Sequence, residues 1–238
     1  MASVEYVELA RAESDRGEVV LRRRHDPDRP TGSPSWLELR VNGVFVMDSC
    51  ETTSEVTLAR AALGRVPDPR SVVIGGLGLG FTVHEVLSDP RVGHVAVAEL
   101  EEALVRWFRD GTIPHGRPYL ADQRLTLTVA DVRQVVGEAA PGSLDLVLLD
   151  VDNGPDFLVH DENARIYEEP FLGQVRDALR PAGVVAVWSS SEAPKLERTL
   201  HRVFGNCLAE PQPVTLQERE ETYWLYSAGK AGRDEGER

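Results

Sequence analysis

Four acidic side chains (Glu99, Asp131, Asp150 and Asp152) and a run of glycines carry the chemistry that this chain can perform. Val72-Val73-Ile74-Gly75-Gly76-Leu77-Gly78-Leu79-Gly80 is a β-branched run entering a glycine loop, with a helical pattern of Thr82, Val83, Val86 and Leu87 behind it. Glycine is needed where the chain turns sharply off a strand end and where a ligand must touch bare backbone. Glu99, Asp131 and Asp150 each close a later apolar run, and in an open α/β sheet those strand ends line the ligand crevice. A carboxylate about 20 residues past the loop accepts hydrogen bonds from ribose hydroxyls, the role expected of Glu99. Asp131 is placed to accept from an adenine amino group, with a plain helix N-cap as the simpler alternative. Asp150 and Asp152 lie two apart in an extended segment and can share one pocket. There they would hold a cation and take a proton from it; the bland alternative is that one of them caps the loop.

The glycine spacing narrows the ligand. A dinucleotide fold uses G-x-G-x-x-G, and counting from Gly76 the third glycine is replaced by Phe81. Glycines at alternate positions, Gly76, Gly78 and Gly80, fit a nucleoside loop with no pyrophosphate to cradle. The pattern resembles the S-adenosylmethionine loop of class I methyltransferase-like folds. Gly75, Leu100 and Val132, neighbours of these positions, complete the candidate nucleoside site.

The elements that must position these residues follow from the apolar patterning. Gly17–Leu21 and Trp36–Val41 read as strands, the second alternating as a half-exposed antiparallel strand does. Asn42-Gly43 offers a tight hairpin into Val44–Met47. Glu55–Leu63 reads as a helix stopped by Pro67-Asp68-Pro69. From there strand runs (Val95–Ala98, Leu125–Val129, Leu144–Leu149, Val184–Trp188) alternate with helical stretches (Glu101–Arg109, Val132–Glu138, Glu169–Leu179). Continuous apolar runs in βαβα order predict an α/β fold: a doubly wound, mostly parallel sheet preceded by a small N-terminal β-unit. Pro211–Val214 and Thr222–Ser227 suggest a closing strand pair. The expected organisation is residues 1–66 as the β-unit and linking helix, 67–227 as the nucleotide-binding α/β domain, and 228–238 as a disordered tail.

Composition sets further bounds. The 238 residues, 42% hydrophobic, suffice for one α/β domain and an appendage. A net charge of −13 argues against a nucleic-acid partner, since the one dense basic run, Arg22-Arg23-Arg24, is followed by Asp26 and Asp28. Cys50 and Cys207 are far apart and the histidines lack ligand spacing, so no metal is expected. His160, after the acidic loop, is a candidate for a lid over the pocket; Trp188 reads as core or adenine-side packing. Ser189-Ser190-Ser191 lacks a nucleophile elbow. Glu5, Glu8 and Glu13 stand where a signal peptide would need an apolar core, and no segment reaches transmembrane length. A cytoplasmic protein without membrane partners is expected, and a homodimer is left open.

Val72–Arg109, Asp131, Leu146–Pro155 and Arg180-Pro181-Ala182-Gly183 resemble the spermidine synthase family. Trp107-Phe108-Arg109-Asp110-Gly111 through Pro114 resembles a bacterial spermidine synthase-like subgroup. The resemblance implies transfer of an aminopropyl group from decarboxylated S-adenosylmethionine to an amine such as putrescine, releasing methylthioadenosine. It implies Glu99 on the ribose, Asp131 on the adenine and Asp150 as acceptor of the amine proton. Three departures stand out. Family enzymes carry Asp inside the glycine loop, facing the amine end of the nucleotide, and Leu79 is aligned with it. Ser54-Glu55-Val56 replaces Tyr-His-Glu or Tyr-Gln-Glu, and Asp150-Val151-Asp152-Asn153-Gly154-Pro155 is a shortened acidic loop. Losing an anionic partner for a buried ammonium weakens binding by roughly several kcal/mol. Glu55, Asp152 and Asn153 are the candidates to line the acceptor pocket instead.

Three functions are compatible with this reading. The first is aminopropyl transfer, with a neutral amine attacking the carbon next to the sulfonium, Asp150 as base and Asp152 as cation holder; alignment of the reactants would supply much of the rate. The second is methyl transfer from intact S-adenosylmethionine, motivated by Leu79 in place of an acid. The third is nucleoside binding without catalysis, since a fold alone assigns no chemistry.

Overall fold

The computed structural model describes residues 4–25, 35–151, 154–158, 160–216 and 219–232. The N-terminal unit is a four-stranded antiparallel sheet, in sequential order, of β1 (Glu5–Ser14), β2 (Gly17–His25), β3 (Trp36–Val41) and β4 (Val44–Asp48). The β3–β4 turn uses Asn42 and Gly43 at φ 52° and 74°, the doubly left-handed geometry that makes Asn-Gly the preferred two-residue hairpin. β1 is an addition to the strands expected. Most of its side chains are exposed and acids interrupt its apolar positions, so it carries no half-buried alternation to detect.

Helix α1 (Thr53–Arg65) packs on the next layer rather than acting as a free linker: it lies against α2 (Phe81–Ser88) and the inner sheet. The chain then runs through β5 (Ser71–Gly75), α2, β6 (His94–Glu99), α3 (Glu102–Asp110), α4 (Gly116–Leu120), β7 (Leu125–Val129), α5 (Val132–Glu138) and β8 (Leu144–Leu149). A 3-10 turn (Asp161–Tyr167), α6 (Glu169–Ala178), β9 (Leu179–Ser189), α7 (Pro194–Phe204), β10 (Leu208–Leu216) and β11 (Arg219–Gly229) complete it. The seven strands of the second sheet are ordered β10-β11-β9-β8-β5-β6-β7. The five from β9 to β7 are parallel, while β11 and β10 close the sheet antiparallel. The chain winds outward from β5 through β6 to β7, then returns to place β8 on the other side of β5. That reversal opens a crevice at the carboxyl ends of β5 and β8.

The boundary expected near residue 66 is one of chain order, not of packing. Leu21 and Leu39 from the N-terminal sheet share one core with Leu58 of α1 and Ile74 of β5. The tail expected from residue 228 does not start there. Ala228 is buried, Gly229 pairs with Val184, and Lys230 exchanges backbone hydrogen bonds with Gly183 and Ala182. Small residues let β11 continue alongside β9, and residues 233–238 lie outside those described.

The fully buried β8 run predicts where stability concentrates. Leu148→Ala, at a site with no exposed surface, should cost about 2–5 kcal/mol in chemical denaturation. Val44→Ala, at 49% exposure, should change stability by less than about 0.5 kcal/mol.

Candidate active site

β5 and β8 meet at a hydrogen bond from the Asp150 amide to the Gly75 carbonyl (2.9 Å). Gly76 follows at φ 94°, and a Cβ there would run into the Asp150 carbonyl oxygen. The loop therefore passes directly over the end of β8, which only glycine permits. One large cavity opens at this point, lined by Gly76 and Gly78 of the loop, Glu99, Leu100, Asp131, Val132, Asp150 and Glu55. Most of the residues singled out from the sequence thus come together. Gly75 and Gly80 do not line the cavity: a Cβ on Gly75 would meet Val132 at 2.9 Å, and one on Gly80 would meet Phe108 at 2.6 Å. They are small so that helices can pack behind the loop. Asp152 and Asn153 lie outside the described residues.

Glu99, at the end of β6, is buried, and both of its oxygens accept backbone hydrogen bonds, from Leu77 (2.8 Å) and Glu101 (2.7 Å). Burial pushes its carboxyl up, and the two amides oppose that shift. Each carboxylate oxygen keeps a second lone pair for a ligand hydroxyl. Asp131 does cap α5 through the Arg133 amide (2.8 Å), and its other oxygen accepts from the Arg133 guanidinium (2.9 Å). Burial pushes the Asp131 carboxyl up, but these bonds outweigh it and hold it below the usual range. The N-cap reading and the cavity position both hold for this residue.

At the opposite end, two carboxyls face each other. Glu55 of α1 accepts from the Ser54 hydroxyl (2.6 Å), and Asp150 accepts from the Thr82 hydroxyl at the start of α2 (2.6 Å). Burial, with Asp150 as the nearby charge, pushes Glu55 up to about 7. Burial also raises Asp150. The cavity-lining arginines, Arg16 and Arg133, pair with Glu101 and Asp131 at the other end. No Lys or Arg among the described lining residues neutralises Glu55 and Asp150.

The sequence reading of Leu79 is corrected. Leu79 is fully buried and lines no part of the cavity; its carbonyl accepts from His115 Nε2 (2.6 Å). Gly76, Leu77 and Gly78 are the loop residues that line the cavity. Left-handed φ angles at Gly76, Gly78 and Gly80 turn the loop, so alternation along it does not follow strand logic. Trp188 lines the cavity edge-on to Tyr223 (centroids 5.1 Å). Charges of Glu55 and Glu51 act on Tyr223, whose hydroxyl burial raises to about 12, so this pair belongs to the acidic end. His160 lines the cavity as well. Arg16, Met47 and Tyr223 were not legible from the sequence, having no motif around them, and Thr82 was read only as part of the helix behind the glycine loop.

A doubly wound sheet with a glycine loop at its switch point, under a small antiparallel sheet, is the class I methyltransferase-like architecture with an N-terminal β-unit. The chain belongs to the spermine/spermidine synthase family, whose domain model matches residues 51–210. It is 34% identical over 133 residues to putrescine N-methyltransferase 4 of Nicotiana tabacum, covering 54% of this chain and 32% of that protein. It is 32% identical over 169 residues to polyamine aminopropyltransferase 2 of Pseudomonas aeruginosa, covering 66% and 46% respectively. The chain thus spans 32% and 46% of the length of these two relatives. The spermidine synthase of Thermotoga maritima superposes with a TM-score of 0.71 at 18% identity, over 94% of this chain and 73% of that one. The family match stops short of Arg16, Met47 and Tyr223.

The raised Glu55 pKa has a stability consequence. Between about 4.5 and 7 the folded chain holds a proton on Glu55 that the unfolded chain releases, so this group's contribution falls as pH rises through that window and stays low above it. Glu55→Gln, which keeps the Ser54 partner, should therefore stabilise the fold by on the order of 2 kcal/mol at pH 8 and leave it nearly unchanged at pH 4.5. Denaturant titrations at the two pH values check this.

Proposed function

We propose that the chain is a transferase that moves an aminopropyl group from decarboxylated S-adenosylmethionine to a small amine. The observation that carries this reading is the buried Glu55–Asp150 pair at one end of a cavity whose other end holds Glu99 and Asp131. Two carboxyls in one desolvated pocket raise each other's pKa, and a ligand cation relieves both. The cavity also fits an adenosyl sulfonium nucleotide: a bare-backbone cradle at Gly76 and Gly78, a strand-end carboxylate at Glu99, and apolar walls from Leu77, Leu104 and Val132.

In this reading the nucleotide supplies a carbon activated by the adjacent sulfonium. Glu99 accepts the ribose hydroxyls, and Asp131 accepts from the adenine amino group. Glu55 holds the acceptor's ammonium, with the Trp188 and Tyr223 rings forming an apolar and π-rich wall beside it. Asp150 takes the proton as the amine nitrogen forms its new bond to carbon and the carbon–sulfur bond breaks, the thioether leaving with the bonding pair. Thr82 fixes the Asp150 carboxyl in place through its hydroxyl. The identity to putrescine N-methyltransferases favours a second reading, methyl transfer from the intact nucleotide.

Incubation with S-adenosylmethionine or its decarboxylated form, each with putrescine and other amines, should give methylthioadenosine with the decarboxylated nucleotide. S-adenosylhomocysteine as the main product would establish the methyltransferase instead, and no thioether from either would overturn both. Asp150→Asn should lower kcat by about two to four orders of magnitude while methylthioadenosine still binds; full turnover would remove Asp150 from the proton transfer.

A further inference from the structure

Four amides of the glycine loop, those of Gly76, Leu77, Leu79 and Gly80, are already engaged. Gly76 donates to the Ala98 carbonyl (2.9 Å), Leu77 to Glu99 (2.8 Å) and Gly80 to the Leu77 carbonyl (2.8 Å). Leu79 donates to the thioether sulfur of Met47 (3.2 Å), a residue of β4 in the N-terminal sheet. The same sulfur lies 2.6 Å from where a Cβ on Gly78 would be. Met47 therefore fills the space that a side chain of the loop would otherwise take, and its sulfur occupies the Leu79 amide. Both Met47 and Gly78 line the cavity. The loop runs from the Glu99 side, through Leu77, to the Asp150 side, through Gly76. A nucleotide seated with its ribose on Glu99 would pass its side chain under this sulfur.

A thioether is apolar, carries no charge and donates no hydrogen bond. It is a poor neighbour for a carboxylate, which needs donors to replace its water. Glu55 and Asp150, which line the same cavity, repel an anion further. Resting on the reading that the cavity takes an adenosyl sulfonium nucleotide, we propose that Met47 is a specificity-determining residue. Its sulfur seals the Leu79 amide and the Gly78 cradle, and so excludes a nucleotide bearing a carboxylate beside its terminal ammonium in favour of the decarboxylated form. Selectivity is thus imposed by the N-terminal sheet, not by a side chain of the loop itself.

Equilibrium binding on the full chain tests this, with S-adenosylmethionine, its decarboxylated form and methylthioadenosine as probes. Methylthioadenosine lacks the variable end, so each variant's affinities are taken relative to its own value for that compound. The unmodified chain should prefer the decarboxylated nucleotide by at least about tenfold, roughly 1.4 kcal/mol. Met47→Ala should open the cradle and reduce the preference by about fivefold or more. Met47→Gln, close to methionine in volume but carrying a donor amide, should reduce it as well, and it carries the test if the alanine variant loses methylthioadenosine binding through misfolding. An unchanged preference in both variants would overturn the role of Met47 while leaving the adenosyl site standing. Equal or tighter binding of S-adenosylmethionine by the unmodified chain would also overturn it. Failure of the unmodified chain to bind methylthioadenosine or either sulfonium would instead overturn the nucleotide reading on which it rests.

Discussion

Gly76 leaves β5 so close to the carbonyl of Asp150 that a Cβ would collide with it, and the rest of the site is arranged around that close approach. It lets the glycine loop cross the end of β8, which puts the Leu77 amide on Glu99 and leaves Gly78 facing the cavity. It also sets the start of α2, so that Thr82 reaches the Asp150 carboxyl. Any side chain at Gly76 would have to push the loop off β8, and each of these contacts would move with it. The nucleoside end and the acidic end are thus two consequences of one backbone contact between neighbouring parallel strands.

The acidic end is held at the expense of stability. Glu55 and Asp150 are taken from water into one pocket, with hydroxyl partners but no cationic one among the described lining residues. Hydroxyl hydrogen bonds offset only part of the desolvation of a carboxylate. The surrounding fold tolerates this because Leu58 and Ala59 of α1 are fully buried in the shared core and anchor the helix that carries Glu55. The opposite end follows another logic, in which every acid has an amide or guanidinium partner already in place. One end is preorganised around its own donors, and the other is left short of positive charge.

The sequence made the sheet legible because buried parallel strands are continuous apolar runs, and β5, β6, β7 and β8 each end at a residue of chemical interest. Glu99, Asp131 and Asp150 could be found from that rule alone. Leu79 was misassigned because it was matched to the family's loop acid by position in the motif alone, whereas the left-handed glycines at 76, 78 and 80 decide which loop residues reach the cavity. Arg16, Met47 and Tyr223 were invisible for a different reason. They reach the cavity through strand register and docking of whole layers, and nothing local in their sequence neighbourhood encodes that arrival. β1 escaped notice because its core-facing residues, Leu9, Ala10 and Ala12, are only partly buried and a bulge between Glu8 and Ala10 breaks their alternation.

The N-terminal sheet shares its core with α1 and β5, and it also contributes Arg16, Met47 and Asp48 to the cavity wall. The wall and the foundation are therefore one object. Drift in the packing between Leu21, Leu58 and Ile74, none of which lines the cavity, would shift Met47 against the glycine loop without touching any residue that contacts a ligand. Ligand preference in such a chain can evolve through changes in how its layers settle on each other, while the glycines and strand-end acids stay as they are.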